Sequence, residues 1–185
     1  MRITKLLFVL LIFCITFTFA QKAFTEQYSA AVTLNGNMVS SSGSLYKDRG
    51  AVIEVVNVTA SGNIFVVDNI YTGLAVDYRE ETKGNSSESV TFFGINAGYT
   101  LNAIDGALFP YVNASLKIAN YSYGKILFLN GPSYSIGAGA IVPIAKHVGF
   151  NIDIGYNAIK VEDKLDDSES GSNLLIKLGI SGLIF

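Results

Sequence analysis

Val148-Gly149-Phe150-Asn151-Ile152-Asp153-Ile154-Gly155-Tyr156-Asn157-Ala158 decides the fold. Its even positions are apolar and mostly bulky, and its odd positions are glycine, asparagine and aspartate. A period of two is the signature of a strand with two unlike faces, whereas a helix would scatter Asn151 and Asp153 onto the apolar side. The same alternation recurs on both sides of this stretch. Ile70, Thr72, Leu74, Val76 and Tyr78 alternate with Tyr71, Gly73, Ala75, Asp77 and Arg79. Phe93 to Leu101, Val112 to Ile118 and Tyr134 to Val142 repeat it, as does Tyr28 to Met38 near the start. Ala51 to Ala60 is strand-like with an ambiguous face, because Val55, Val56 and Val58 occupy both parities. Asn173 to Phe185 makes the eighth segment.

The spacing of the segments orients them. Long connections rich in Ser, Gly, Asn and charge are expected near Ser40–Arg49, Glu80–Glu88, Ser122–Pro132 and Glu162–Ser172. Short ones are expected near Ser61–Asn69, Asn102–Gly106 and Ile144–His147. Long loops on one side and short turns on the other are the pattern of outer-membrane barrels. An even strand count closes the sheet and leaves no backbone edge to lipid. The reading is an all-β, eight-stranded antiparallel up-and-down transmembrane β-barrel spanning residues 21–185.

The N-terminus fits export. Arg2 and Lys5 precede an apolar run from Leu6 to Phe19, and Thr18 and Ala20 are small residues at the minus-three and minus-one positions before Gln21. Residues 1–20 read as a cleaved secretory signal. The run is shorter than the roughly 20 residues a spanning helix needs. Cys14, the sole cysteine, leaves with the signal, so the mature chain has no thiol chemistry. Losing Arg2 and Lys5 also lowers the basic count from 13 to 11 against 15 acidic residues, a net charge of −4 with His neutral, which excludes a basic nucleic-acid binder. Half of the chain is hydrophobic, yet no mature segment reaches the length of a helical span. A barrel produces this composition, since only alternate residues face lipid.

Gly62-Asn63-Ile64-Phe65-Val66-Val67-Asp68-Asn69-Ile70-Tyr71-Thr72-Gly73-Leu74 resembles the first hairpin turn of the small eight-stranded outer-membrane barrels, the OmpX-like and OmpA-N-terminal-like group. Pro143 to Phe150 resembles the third turn of that group. The resemblance covers essentially all of the mature chain. It implies residence in the outer membrane of a Gram-negative-type bacterium as a monomer, with lipid and lipopolysaccharide around the barrel and periplasmic chaperones and the barrel-insertion machinery as partners. It also implies that Phe185 supplies the C-terminal assembly signal. Leu174, Ile176, Leu178 and Ile180 are out of phase with Leu183 and Phe185. Either a bulge at Gly182 shifts the phase, or Phe185 lies on the opposite face.

Chemistry is sparse. Glu54, Asp77 and Asp153 are expected to face Arg79, Lys117 and Lys177 in a polar network inside the barrel. Eight strands leave an interior that side chains just fill, and a Lys or Arg at the bilayer midplane on the lipid side costs roughly 2–4 kcal/mol. His147, the only histidine, falls in an expected turn and reads as a turn residue rather than a catalyst. The acidic run Glu162, Asp163, Asp166, Asp167 and Glu169 lacks the spacing of a calcium loop. Tyr121 to Pro132 carries apolar residues that either meet a partner or extend two strands. Tyr28, Tyr78, Tyr99, Tyr111 and Tyr156 are candidates for an interfacial girdle. The asparagine sequons at 57, 85, 113 and 120 carry no meaning in this setting. No catalytic, cofactor or metal residue is assigned. The expected function is a non-enzymatic structural or surface-interaction role through four long outer loops. The alternatives are a small-solute pore and a soluble lipocalin-like carrier, whose apolar face would point inward.

Overall fold

The computed structural model describes residues 27–46, 54–83, 86–101, 108–123, 127–162 and 168–184, apart from the side chains at 46, 54–55, 82–83, 86–87, 123 and 127–128. The expected signal segment and Phe185 lie outside the described residues. Eight strands follow one another: β1 Ala30–Gly43, β2 Glu54–Val67, β3 Ile70–Lys83, β4 Ser86–Thr100, β5 Phe109–Tyr123, β6 Leu127–Ala145, β7 Val148–Glu162 and β8 Ser168–Ile184. A single 3-10 turn, Ser44–Tyr46, follows β1. Each strand pairs antiparallel with the next, and β8 returns to β1, closing the barrel.

The stagger of the barrel follows from its register. Starting at Ala31, the partners run Asn63, Gly73, Asn96, Ser115, Ser135, Asn157 and Asn173, and the path re-enters β1 at Ser41. Ten residues of stagger over eight strands tilt the strands by roughly 40°. This row, which faces the lumen, is built almost entirely from Asn, Ser and Gly. Small side chains are what a narrow interior accepts.

Face assignment follows residue parity. Val32, Leu34, Ile64, Leu74, Ile95, Ile136, Ile154 and Ile176 are all exposed on the outside. Asn35, Thr59, Lys117, Asn151, Asp153 and Asn173 are buried on the inside. The arrangement is that of a membrane barrel, apolar outward and polar inward. A soluble carrier needs the reverse. Tyr78, Tyr134 and Tyr156 are exposed toward the loop-rich end of this apolar belt, and Tyr28 and Tyr99 toward the end that holds the termini. Tyr111 departs from the expected girdle. It starts β5 on the inner parity and lines the lumen.

Several boundaries differ from the sequence reading. The strands are 14 to 19 residues long, well beyond the 9–11 that span a bilayer. β3 runs to Lys83 and β4 starts at Ser86, β5 runs to Tyr123 and β6 starts at Leu127, and β7 runs to Glu162 and β8 starts at Ser168. Three of the four expected long loops are therefore mostly ladder. Beyond the bilayer the outer face no longer meets lipid, so alternation fades while backbone pairing continues. The Ser61–Asn69 connection is likewise strand as far as Val67. The turn is Asp68-Asn69 alone, with Asn69 at φ 68°, a conformation that asparagine tolerates. At the other end, β8 pairs with β1 without interruption from Ile184 to Gly171. Gly182 hosts no bulge, and Leu183 points inward, 4% exposed.

Candidate functional site

The lumen is the candidate site, and its polar contents form two groups. In the first, Lys117 of β5 donates to Asp77 of β3 at 2.5 Å, and the Thr59 hydroxyl of β2 donates to the other Asp77 oxygen at 2.6 Å. Asn37 of β1 donates its amide N–H groups to Thr59 at 2.7 Å and to Asn57 at 3.1 Å. A continuous chain thus crosses the barrel from β1 to β5. Arg79 pairs with Glu81 two residues along its own strand and donates to the Ser41 hydroxyl at 3.1 Å. In the second group, Asp153 of β7 accepts from Asn113 of β5 at 2.8 Å and faces Lys177 of β8 at 3.5 Å. Asn151 donates to Asn35, and Ser133 donates to Asn157 at 2.6 Å.

Asp77, Arg79, Lys117, Asp153 and Lys177 thus all project into the lumen. They divide between the two groups rather than meeting at one point. The side chain of Glu54 lies outside the described residues. Glu81, which the sequence reading did not single out, takes the place opposite Arg79.

Apolar side chains gather at both ends of the lumen. At the end away from the termini, Leu45 from the 3-10 turn joins Val90, Phe92, Tyr121, Leu129 and Val161 in a buried apolar cluster. The Phe92 and Tyr121 rings meet edge to face at 6.3 Å. Tyr121 and Leu129 come from the segment left open between partner surface and strand extension, and both point inward. At the end holding the termini, Ala31 and Leu183 pack with Phe109 and Ile141, and Phe65 meets Tyr71 edge to face at 5.6 Å. A cavity of about 90 Å³ is bordered by Tyr71, Tyr111, Asn113, Lys117, Asp153 and Lys177 and reaches Ala31, Phe65 and Ile141 of the lower cluster.

Glycine makes room for the two lumenal tyrosines. Tyr71 pairs directly with Gly98, and Tyr111 with Gly139. A Cβ at Gly98 would meet the Tyr71 ring, and one at Gly139 would lie 2.6 Å from the Tyr111 hydroxyl. Each ring lies across the neighbouring strand where only a glycine leaves space. An aromatic residue on the otherwise polar parity, paired with glycine across the ladder, was the available signal for both.

Among the described residues no group of three or more His, Cys, Asp or Glu side chains is placed to hold a metal ion. His147 stands in the β6–β7 turn, where its carbonyl accepts from Leu183 N–H at 2.9 Å. Glu162 pairs with Lys160 at 3.0 Å, and Asp163, Asp166 and Asp167 lie outside the described residues.

No protein-family model matches the chain, and no curated protein sequence does. Solved structures do. Neisserial surface protein A is similar at 15% identity and a TM-score of 0.68, over 83% of this chain and 96% of that one. The outer membrane protein AlkL, solved in lipid bilayers, is similar at 16% identity and 0.57, over 90% and 95%. The outer membrane protein OprG of Pseudomonas aeruginosa is similar at 10% identity and 0.55, over 86% and 97%. At these identities the likeness is one of fold. The chain is a closed eight-stranded antiparallel barrel with an apolar exterior, and it shares the fold of small Gram-negative outer-membrane β-barrels.

Proposed function

We propose that the protein is a non-enzymatic integral barrel of the outer membrane of a Gram-negative-type bacterium, a structural wall element whose contacts are made at its outer rim. The observation that carries this reading is the combination of an apolar exterior with a narrow lumen filled by paired polar and charged side chains. Paired charges between two apolar clusters fill an eight-stranded interior rather than line a path. The sole histidine stands in a turn at the end holding the termini, away from the outer rim, which supports a non-enzymatic role. Lipid and lipopolysaccharide are the surroundings proposed for the belt, and chaperones and the insertion machinery the partners in assembly. Three of the four outer connections are mostly strand ends that extend the barrel past the bilayer, so surface contacts are read as made there by strand ends and short connections rather than by long free loops.

The test has two parts. Native protein from the detergent-extracted outer-membrane fraction should migrate differently on gels unheated and boiled. The folded protein in a planar bilayer should pass no steady current. Steady unitary conductance would favour the small-pore reading, and recovery from the soluble periplasm without a mobility shift would sink the membrane reading.

A further inference from the structure

The outer apolar cluster is assembled from two unlike sources. All of its members but Leu45 lie on β4 to β7, strands that each pair with both neighbours in the closed ring. Leu45 stands in the 3-10 turn Ser44–Tyr46, outside the ladder. That turn follows β1, and β5, which carries Ala119 and Tyr121 of the cluster, is halfway round the ring of eight from β1. The leucine thus reaches from the β1–β8 seam to join the far wall, and it is 4% exposed there.

Among the described residues the hold on that leucine is slight. β1 is laddered to β8 as far as Gly43 but to β2 only as far as Gly36, so the strand leading to Leu45 is held along one edge. At Gly43 the chain turns with φ 111°, which glycine adopts freely, and a Cβ there would lie 2.6 Å from the Ser170 carbonyl oxygen. Beyond Gly43 the turn is latched by one hydroxyl. Ser44 donates to the Ser170 carbonyl at 3.1 Å and accepts the Ser170 N–H at 3.2 Å, and both residues are exposed. A segment with few buried contacts and solvent-exposed hydrogen bonds opens locally at far lower cost than the whole fold unfolds. The strands that Leu45 packs against are laddered on both sides and lack this weakness.

We propose that Ser44–Leu45 is a strap poised to lift: it pivots at Gly43, releases the Ser170 latch and withdraws Leu45 from the apolar wall while the eight-stranded ladder stays intact. The strap goes beyond the wall-element reading, because it gives the outer mouth two states. Closed, it covers the apolar wall against water. Lifted, it bares that wall beside the small recess where Arg79, Glu81 and Glu88 stand next to Val90 and Tyr121. A local opening of this kind is populated at about 0.1–10%.

Cys14 is the only cysteine, so residues 21–185 accept single reporter thiols. The experiment uses this mature chain folded in lipid nanodiscs, with gel mobility reading whether each variant is folded. A charged, water-soluble thiol reagent reads exposure, and each rate is divided by that of the same variant in urea. Leu45→Cys reports on the strap itself. Val161→Cys, at a position 0% exposed on β7, keeps Leu45 in place and nearly preserves side-chain size. Both should react at about one-tenth to one-thousandth of the rate of Ser168→Cys, which is exposed on β8. Adding Ser44→Ala should raise both rates about fivefold, as expected for the loss of roughly one net hydrogen bond. The same addition should leave Ala31→Cys, buried near the other end, unchanged. Rates for Leu45→Cys and Val161→Cys below one-thousandth of the Ser168→Cys rate, or unmoved by Ser44→Ala, overturn the strap and leave Leu45 a fixed plug. A Val161→Cys as fast as Ser168→Cys overturns the closed state. An equal rise at Ala31→Cys shows that the whole barrel opens, and that too overturns the proposal.

Discussion

Lys117 and Asp77 offer the sharpest test of how the interior is held together. Their side chains are 7% and 18% exposed, and the contact is 2.5 Å. Removing one partner of a buried pair leaves an uncompensated charge and typically costs 3–5 kcal/mol, whereas replacing both by apolar groups is often neutral. Lys117→Met leaves Asp77 with the Thr59 hydroxyl and partial solvent, so the cost belongs near the lower end, about 3 kcal/mol. Asp77→Leu isolates the deeper charge and should cost about 4 kcal/mol. The double variant removes both charges and leaves one hydroxyl donor unmatched, a cost of about 1 kcal/mol. The double should therefore be more stable than either single. The chain contains no tryptophan, so urea unfolding in lipid vesicles is best followed by far-ultraviolet circular dichroism together with the unheated gel band. A double variant whose loss equals the sum of the singles, or a Lys117→Met that costs under about 1 kcal/mol, would refute the claim that this pair is a coupled buried unit.

Three further outcomes follow from the same architecture. Gly98→Val places side-chain atoms in the Tyr71 ring and 2.6 Å from the Val112 carbonyl; it should cost about 2–3 kcal/mol of overpacking, and combination with Tyr71→Ala should recover part of that in the same urea titration. Ile154→Arg on the exterior of β7, where Ile154 is 56% exposed, should cost about 2–4 kcal/mol in a bilayer, and a change within 0.5 kcal/mol would put that position outside the hydrocarbon. Phe92→Ala empties part of the outer plug and should cost about 3–5 kcal/mol, with hydrogen exchange faster at Val90 and Tyr121 while the Ala31–Leu183 end stays protected.

The faces of the barrel were legible because the two environments differ so sharply within the bilayer. Phe150, Ile152 and Ile154 must face lipid, and Asn151 and Asp153 must not, so parity alone assigned them. Legibility ended where that contrast ended. Above the belt both faces of Ser40 to Gly43 or Glu80 to Lys83 are polar or small, and composition suggested loop where pairing continues. Parity also says nothing of partners across the lumen. That Lys117 meets Asp77, while Asn113 and Lys177 meet Asp153, depends on the stagger of ten residues, a property of the closed ring rather than of any strand. Tyr71 and Tyr111 were on the inner parity from the start. Their role as fillers required knowing that Gly98 and Gly139 stand opposite, which is again register. Phe92 beside Phe93 shows the remaining difficulty: two like residues in sequence, one closing the lumen and one in the belt, distinguished only by the phase of their neighbours.

The outer plug begins at the end of β1. Ser42 bonds the Ser172 hydroxyl at 2.9 Å, and the Ser44 hydroxyl donates to the Ser170 carbonyl at 3.1 Å while accepting the Ser170 N–H at 3.2 Å. These contacts keep the top of β1 on β8. The next residue, Leu45, is drawn into the mouth and is 4% exposed. Burying a leucine side chain contributes about 1.5–3 kcal/mol. Among the described residues β1 pairs with β8 as far as Gly43 but with β2 only as far as Gly36. The β1–β8 seam thus carries the residue that covers the lumen from above, and Asn37 and Asn57 meet by side chain where the β1–β2 pairing ends.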